Sequence, residues 1–561
     1  MGILKAKGVV YKPVDEVDLG PDSDEFYLRA NVKAPRMAGL FVKVFAWFLE
    51  SPIFGGILLY FLKRNNLIHK LVSFAELQES PLFVPLHPYQ GIIENEVKCL
   101  QPDMFPPEKV QQAVDCLQSV EDIPKSPQLS FQRWTILDYA RAYTSGETTP
   151  EMVADRFIAS VHESSSQHLQ MSFFINYNVE DILKQATEST ARHAQGEPIS
   201  ILDGVPVAIK DEIDCTPYPT TGGTKWMHKV RQCKNDACCV SRLRACGAII
   251  VGKTNMHELG AGVSGINPHY GAARNPYNRS KITGGSSSGS AAVVAAGLCP
   301  VALGVDGGGS VRLPAALCGV VGLKPTFARV PHDGYAAISG GLPSDHSGIT
   351  VWFNDCSDDI RECCSNAVAK LSDKYGWQTV EVTIPDIEVM RLAHYLTIGS
   401  ECSGSIASHL ENINKAEIGW DVRVGLSVYS SFHSHEYLNA QRIRNRQLQF
   451  HEKIFSVADV IVTPTVGVTA YMIKDDALKT GELDYINGAA LVRYQIAGNF
   501  LGLPAVTVPV GYDRSGLPIG LQFIGKPWSE SLLIHIASAL QALCKSGYKK
   551  PEVFFDMLAK E

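Results

Sequence analysis

Two serines in glycine-rich turns and one lysine in an apolar segment are the residues of this sequence best suited to chemistry. Ser286 opens the segment SSSGS, and Ser310 ends the segment DGGGS 24 residues later. Glycine permits backbone conformations in which several amide N–H groups face one ligand atom. The two turns therefore indicate a binding or catalytic site.

The turn before Ser310 has the composition of an oxyanion hole. Gly307, Gly308 and Gly309 could direct successive N–H groups at one oxygen, which is what a tetrahedral acyl-transfer intermediate requires. A plain turn is the alternative interpretation. The segment 285–289 also matches the GxSxG pattern centred on Ser287, but no hydrophobic strand precedes it, so an α/β-hydrolase nucleophile is rejected.

Lys210 ends the apolar segment VPVAIK. A lysine is rarely buried unless it is paired or functional. It could form a structural ion pair with Asp211, Glu212 or Asp214. It could also act as a neutral base, if burial lowers its pKa.

Buried strands and helices that alternate along the chain would position these residues. The apolar runs between the two serine turns argue against a flexible linker and predict a small-residue helix followed by a strand. Residues 131–561 show this alternation without a linker, which indicates one large α/β domain. Further strands are predicted in 200–214, 247–254, 457–465 and 505–525, with a last helix at about 530–545.

Composition excludes several classes of protein. A net charge of −7 over 561 residues, without a basic stripe, argues against a nucleic-acid partner. The 14 cysteines have no CxxC spacing, which favours reduced thiols over a zinc site or a disulfide framework. No signal peptide is recognisable at the N-terminus, and a cytosol-facing protein is expected.

The most apolar window is 37–62, which Lys43, Glu50 and Pro52 interrupt. Neither half reaches the ~18–20 apolar residues of a spanning helix. Phe41, Phe45 and Phe48 share one helical face. The window predicts either an amphipathic helix pair that lies on a bilayer or caps an acyl-binding mouth, or an ordinary hairpin packed on the body. Residues 79–130 are rich in proline, and we expect them to be irregular.

The motifs together resemble the amidase signature family. Lys210 in VPVAIKD, Ser286 in GGSSSGSAA and Ser310 in GVDGGGSVRLPAALCGVVGLKPT match its hallmarks, and LGLPAVTVPVGY matches further on. The resemblance implies an α/β fold with a mixed central sheet flanked by helices. The expected domains are a catalytic domain at 131–561 and an N-terminal helical extension at 1–130, which associates with a membrane or caps the acyl site.

The resemblance also implies a Ser–Ser–Lys triad. Ser310 would be the nucleophile, and Ser286, in a cis peptide after Gly285, would relay its proton to Lys210. The remaining implied roles are oxyanion N–H donors and supporting contacts: Gly307, Gly308, Gly309 and Ser310 as donors, and Ser287, Asp306 and Arg312 as supports.

With its apolar extension, the chain is most similar to plant members of the family that hydrolyse fatty acid amides. This implies a long-chain amide substrate, association with the endoplasmic reticulum or plasma membrane, and a homodimer. No metal or other cofactor is implied. The alternatives are an amidase for small amides, an amidotransferase subunit, or an inactive acyl-binding homologue.

The chain departs from the family pattern near 340–350. The sequence passes from ISGGLPSDHSG directly into ITVWFND, where the family continues through a further helix and strand. Several dozen residues are missing close to the nucleophile in sequence. This shortening is the reason why an inactive homologue is considered.

Overall fold

A computed structural model describes residues 8–20, 34–89, 100–101, 103–116, 131–331, 351–411 and 413–559. The α-helices of these residues are α1 Leu40–Leu49, α2 Gly55–Asn65, α3 Pro106–Asp115, α4 Ile136–Thr144, α5 Pro150–Ser164, α6 Val179–Gln195, α7 Met227–Val230, α8 Cys238–Ala245, α9 Ser288–Ala295, α10 Arg312–Cys318, α11 Asp358–Tyr375, α12 Ile387–Leu410, α13 Trp420–Tyr429, α14 Ser434–Phe455, α15 Tyr485–Val492, α16 Ile496–Phe500 and α17 Glu530–Cys544. The strands are β1 Met37–Ala38, β2 Phe174–Asn176, β3 Pro206–Lys210, β4 Ile249–Thr254, β5 Ile266–Asn267, β6 Gly271–Ala272, β7 Arg274–Asn275, β8 Asn278–Ile282, β9 Val301–Leu303, β10 Gly322–Lys324, β11 Val460–Pro464, β12 Glu482–Leu483, β13 Ala505–Tyr512 and β14 Pro518–Gly525.

Two four-stranded sheets form the centre of the described part. The first has the order β2-β4-β3-β9, and the second has the order β10-β13-β14-β11. In the first sheet β3 runs parallel to β4 and β9, whereas β2 is antiparallel to β4. The second sheet is antiparallel throughout. The α/β fold with mixed sheet directions is confirmed.

Strand β3 is buried on both faces because helices cover the parallel sheet on each side. Val207 and Ile209 pack with Val240 of α8. Ala208 packs in a separate cluster with Ala292 of α9. Since side chains alternate along a strand, Lys210 lies on the same face as Ala208, towards α9 and the serine turn that precedes it.

The helix at 288–295 and the strand at 301–303 follow the first serine turn, as predicted. The strands predicted in 200–214, 247–254, 457–465 and 505–525 are also present, as is the last helix. The irregular interpretation of 79–130 is wrong at α3. Its proline residues occupy the first turn of the helix, where their missing N–H groups would have no partner in any case.

Residues 37–62 form the expected helix pair, α1 and α2. Val42, Ala46 and Leu49 of α1 pack against Val424 of α13, and Glu50 forms an ion pair with Arg423. At the end of α2, the Lys63 ammonium lies 2.8 Å from the Glu436 carboxylate, and both side chains are buried. The hairpin is therefore fixed to α13 and α14.

The opposite face of this hairpin is apolar and exposed. Phe41 is 78%, Trp47 is 62% and Ile53 is 74% exposed, and Leu40 and Ile57 are also mostly exposed. Within the described ranges, no helix combines the length and apolar character needed to cross a membrane. The hairpin thus joins both predicted features, a face packed on the body and an amphipathic surface. The shortened region at 340–350 lies outside the described residues.

Candidate functional site

The ends of three elements meet around Lys210. Lys210 closes β3, Ser286 lies in the turn before α9, and Ser310 lies between β9 and α10. The Lys210 Nζ donates a 2.8 Å hydrogen bond to Ser286 Oγ. The amide N–H of Ser286 donates a 3.2 Å hydrogen bond to Ser310 Oγ. The structure therefore brings the three predicted reactive residues together.

Lys210 is fully buried and has a charged neighbour. Its Nζ lies 2.9 Å from Glu212 Oε2 and 3.4 Å from the Val305 carbonyl oxygen. Burial lowers the pKa of Lys210, while the carboxylate of Glu212 acts in the opposite direction. The ion pair considered from the sequence is thus present beside the contact with Ser286. The role of Lys210 as a base stays a prediction, and the ion pair does not exclude it.

The peptide bond between Gly285 and Ser286 differs from the expectation. It is trans, and the described residues contain a cis bond only at Thr216–Pro217. The trans form is the lower-energy one for a residue other than proline. Gly285 has φ +64°, and a Cβ there would lie 2.5 Å from Pro314 Cδ, so the tight turn requires glycine.

The hydroxyls of Ser286 and Ser310 are not arranged as a direct proton relay would require. Within the described residues, Ser310 Oγ accepts from the Ser286 amide, and no hydrogen bond links it to Ser286 Oγ. Ser286 Oγ instead contacts Lys210. One residue, Ser286, thus contacts the lysine through its side chain and the second serine through its backbone.

The glycine turn offers fewer donors than predicted. The Gly309 N–H donates to Asp306 Oδ1 at 2.7 Å, because a carboxylate is a stronger acceptor than a carbonyl oxygen. The prediction for Gly309 as an oxyanion donor does not fit this arrangement. The N–H groups of Gly307, Gly308 and Ser310 have no acceptor among the described residues. These three are available to a ligand.

Asp306 and Arg312 form a buried ion pair behind the turn. Asp306 Oδ1 and Arg312 Nη2 are 3.0 Å apart. Burial acts to raise the pKa of Asp306, but the Arg312 guanidinium outweighs it and holds this pKa well below its usual value. Arg312 also donates to Gln522 Oε1 at 2.8 Å and to Asn499 Oδ1 at 2.6 Å. The pair connects the turn to the C-terminal part of the chain.

Ser287 connects the two serine turns. Its Oγ donates to the Val305 carbonyl at 3.1 Å and accepts from the Val305 N–H at 3.2 Å. Its own N–H donates to the Ser310 carbonyl at 3.2 Å. Ser287, Asp306 and Arg312 thus all form contacts within or behind the two serine turns, and their supporting roles stay predictions.

Two further residues of the site have no signal in the sequence. His394 Nε2 lies 3.0 Å from the Gly307 carbonyl oxygen, and Asn499 Nδ2 donates to the Asp306 carbonyl oxygen at 2.7 Å. His394 and Asn499 are distant in sequence from the motifs and belong to α12 and α16. Only the folded chain reveals these contacts.

Across the described ranges, no three His, Cys, Asp or Glu side chains are grouped so as to hold a metal ion. The cysteines described there are free thiols. The residues described at the site supply hydroxyl, amine, carboxylate, imidazole and amide groups.

Comparisons with known proteins agree with this geometry. The family model described as Amidase matches residues 159–351 and 345–534. A fatty acid amide hydrolase of Oryza sativa subsp. indica is 42% identical, over 97% of this chain and 98% of its own length. A fatty acid amide hydrolase of Arabidopsis thaliana is 41% identical, over 98% and 99%.

The fold is similar to solved structures as well. The crystal structure of an amidase is matched with a TM-score of 0.65 at 24% identity, and the match covers 73% of this chain and 100% of that chain. At this identity the likeness concerns the fold alone.

The alignment with the rice protein also bears on the shortened region. It spans 601 positions but covers 97% of a 561-residue chain, or about 544 residues, so roughly 57 positions have no counterpart here. The two segments of the family match meet at 345–351. This agrees with a loss of several dozen residues near 340–350.

Proposed function

The chain belongs to the amidase signature family, and on that basis we propose that it is a serine hydrolase of long-chain fatty acid amides. Its substrates would be N-acylethanolamines, cleaved to a fatty acid and an amine. The observation that carries the proposal is the hydrogen-bonded series from Lys210 through Ser286 to Ser310.

In the proposed reaction, Ser310 Oγ attacks the amide carbonyl. Its proton passes to Ser286 Oγ, whose own proton passes to a neutral Lys210 amine. The transfer requires the Ser310 hydroxyl to turn from the Ser286 amide to the Ser286 hydroxyl. The burial of Lys210 supports its role as base, since burial favours the neutral amine.

The tetrahedral intermediate carries a negative oxygen. The N–H groups of Gly307, Gly308 and Ser310 are the donors available to it, and donors of this kind are each typically worth ~3–4 kcal/mol. A proton returned through Ser286 lets the amine leave. Water then hydrolyses the acyl-enzyme and frees Ser310.

A fluorophosphonate probe and a substrate pair test the function. We expect the probe to label the wild-type protein and not Ser310→Ala, and the protein to hydrolyse N-acylethanolamines in preference to short amides. Preference for short amides would support a small-amide amidase or an amidotransferase subunit. Absence of both labelling and turnover would support the inactive acyl-binding homologue.

The exposed face of the α1–α2 hairpin supports association with a membrane surface. An apolar face this large is uncommon on a soluble monomer, and amphipathic helices bury such faces in the lipid interface. We infer a cytosol-facing protein on the endoplasmic reticulum or plasma membrane, with residues 1–130 as its membrane-associating or acyl-site-capping region. Fractionation of cells that express the full chain tests this location.

A homodimer is the proposed assembly state, by analogy with the family. Sedimentation in detergent, which covers the hairpin, distinguishes a dimer from apolar self-association. A monomer under these conditions would exclude the dimer.

A further inference from the structure

Two carbonyl oxygens of the turn before Ser310 are held by side chains from outside the serine segment. Asn499 Nδ2 donates to the Asp306 oxygen at 2.7 Å, and His394 Nε2 lies 3.0 Å from the Gly307 oxygen. Because a carbonyl oxygen only accepts, the Nε2 atom of His394 carries the hydrogen. Both side chains are buried. The two contacts therefore fix consecutive peptide groups.

The planarity of the peptide group gives these contacts a consequence at the opposite side of the turn. In a trans peptide the C=O of one residue and the N–H of the next point in opposite directions. The bond to the Asp306 oxygen thus directs the Gly307 N–H away from Asn499. The bond to the Gly307 oxygen likewise directs the Gly308 N–H away from His394.

These N–H groups are two of the three in the turn that have no acceptor within the described residues. Glycine peptides can rotate more freely than others, because no Cβ restricts them. A turn of three glycines would otherwise lose part of its donor alignment through such rotation. An oxyanion hole is effective only when its donors are aligned before the reaction.

We propose that His394 and Asn499 are positioning residues of the oxyanion hole, acting through the Gly307 and Asp306 carbonyls. The inference deepens the proposed hydrolase function and rests on it. The two side chains also belong to one unit, since the His394 ring packs edge-on against Phe500, in the same helix as Asn499, with 5.9 Å between ring centroids. Helices α12 and α16 thereby fix the directions of the Gly307 and Gly308 N–H groups.

A role for His394 as the general base has less support. Its Nε2 is engaged with a carbonyl oxygen. Burial lowers the pKa of His394 to about 4, so the ring is neutral at the pH where a lysine base operates. The contact of His394 with the Gly307 carbonyl oxygen orients the Gly308 N–H group and does not transfer a proton.

The first test compares two replacements of His394 in the full-length protein. His394→Phe removes the donor and keeps a flat ring, and we expect kcat for N-acylethanolamine hydrolysis to fall about 10²-fold with KM changed less than threefold. His394→Gln retains a terminal N–H donor, and its kcat should be at least tenfold higher than that of His394→Phe. The matched control is His451→Phe. His451 is also fully buried, but it bonds to the Gln447 carbonyl, and its change should leave kcat within threefold.

The second test does not depend on turnover. A long-chain trifluoromethyl ketone forms an oxyanion with Ser310, whereas the matching alcohol does not. His394→Phe should weaken binding of the ketone about 10²-fold and leave binding of the alcohol unchanged. If the wild-type protein hydrolyses no N-acylethanolamine, the proposed function fails, and the ketone–alcohol comparison still decides the role of His394.

Asn499→Leu provides a second variant if His394→Phe does not fold. It removes the donor to the Asp306 carbonyl oxygen. Like His394→Phe, it should weaken binding of the ketone and leave binding of the alcohol unchanged. The inference is overturned if a folded variant binds the ketone as tightly as the wild type. It is also overturned if the ketone and the alcohol lose affinity equally, or if His394→Gln recovers nothing.

Discussion

At the scale of single residues, the proposed chemistry depends on how the protein controls the proton of Lys210. Complete burial disfavours the ammonium, and Glu212 at 2.9 Å favours it. The effect of burial is the larger of the two, so the pKa of Lys210 is lowered. Two changes separate the base itself from the group that tunes it.

Replacing the base should remove the reaction. We expect Lys210→Ala to reduce kcat for amide hydrolysis to background, because Ser286 would then have no acceptor for its proton. Circular dichroism and thermal melting show whether the variant is folded. A folded variant with near wild-type turnover would contradict the assignment of Lys210 as the base.

Removing the neighbouring charge should shift the pH dependence. The Glu212 carboxylate raises the pKa of Lys210, so Glu212→Gln should lower this pKa. A base works only when it is deprotonated, and the acidic limb of the kcat/KM profile should move to lower pH. Glu417→Gln, at a surface ion pair with Lys229, is the control and should leave the limb in place. An acidic limb that moves to higher pH in Glu212→Gln would show that Lys210 is not the group that titrates.

At the scale of secondary-structure elements, the α1–α2 hairpin is a fixed platform with one exposed apolar face. The double change Phe41→Asp and Trp47→Asp should reduce binding to phospholipid vesicles at least tenfold, because each buried aromatic contributes about 1.5–3 kcal/mol. Turnover of a water-soluble short-chain amide should be unaffected. Ile534→Asp, an exposed apolar position on α17, is the matched control. Equal vesicle binding by all three proteins would refute the proposed membrane face.

The elements were largely predictable from the sequence because their signals are local. Buried strands such as β3 and β14 appear as continuous apolar runs, and the small-residue pattern predicted α9. The helix α3 was missed because its prolines suggested an irregular segment, although proline is favourable in a first helical turn.

The site was predictable only for residues that each lie in a recognisable short motif. Lys210, Ser286 and Ser310 meet as expected, but the Gly285–Ser286 bond is trans and the Gly309 N–H is bound to Asp306. His394 and Asn499 come from helices far along the chain. No local pattern marks such residues, since tertiary packing alone brings them to the turn.

At the scale of the whole molecule, buried histidines make stability depend on pH. Burial lowers the pKa of both His394 and His451 from 6.5 to about 4. The unfolded chain therefore binds protons at these residues at a higher pH than the folded chain does. The stabilisation is complete above pH 6.5 and is lost as the pH falls towards 4.

We expect the free energy of unfolding to fall by about 3 kcal/mol for each of these histidines between pH 6.5 and 4. Urea unfolding at a series of pH values measures this change. His451→Phe removes one contribution and should flatten the dependence. An unchanged slope in that variant would show that other groups dominate.

The hydrogen bonds of Arg312 make the site depend on the last part of the chain. A product that ended before Gln495 would still contain Lys210, Ser286 and Ser310. It would lack Gln495, Asn499 and Gln522, which accept hydrogen bonds from the Arg312 guanidinium. Asp306 would then face an arginine deprived of its other acceptors. Such a truncated polypeptide would carry every reactive side chain and still be unable to assemble a working site.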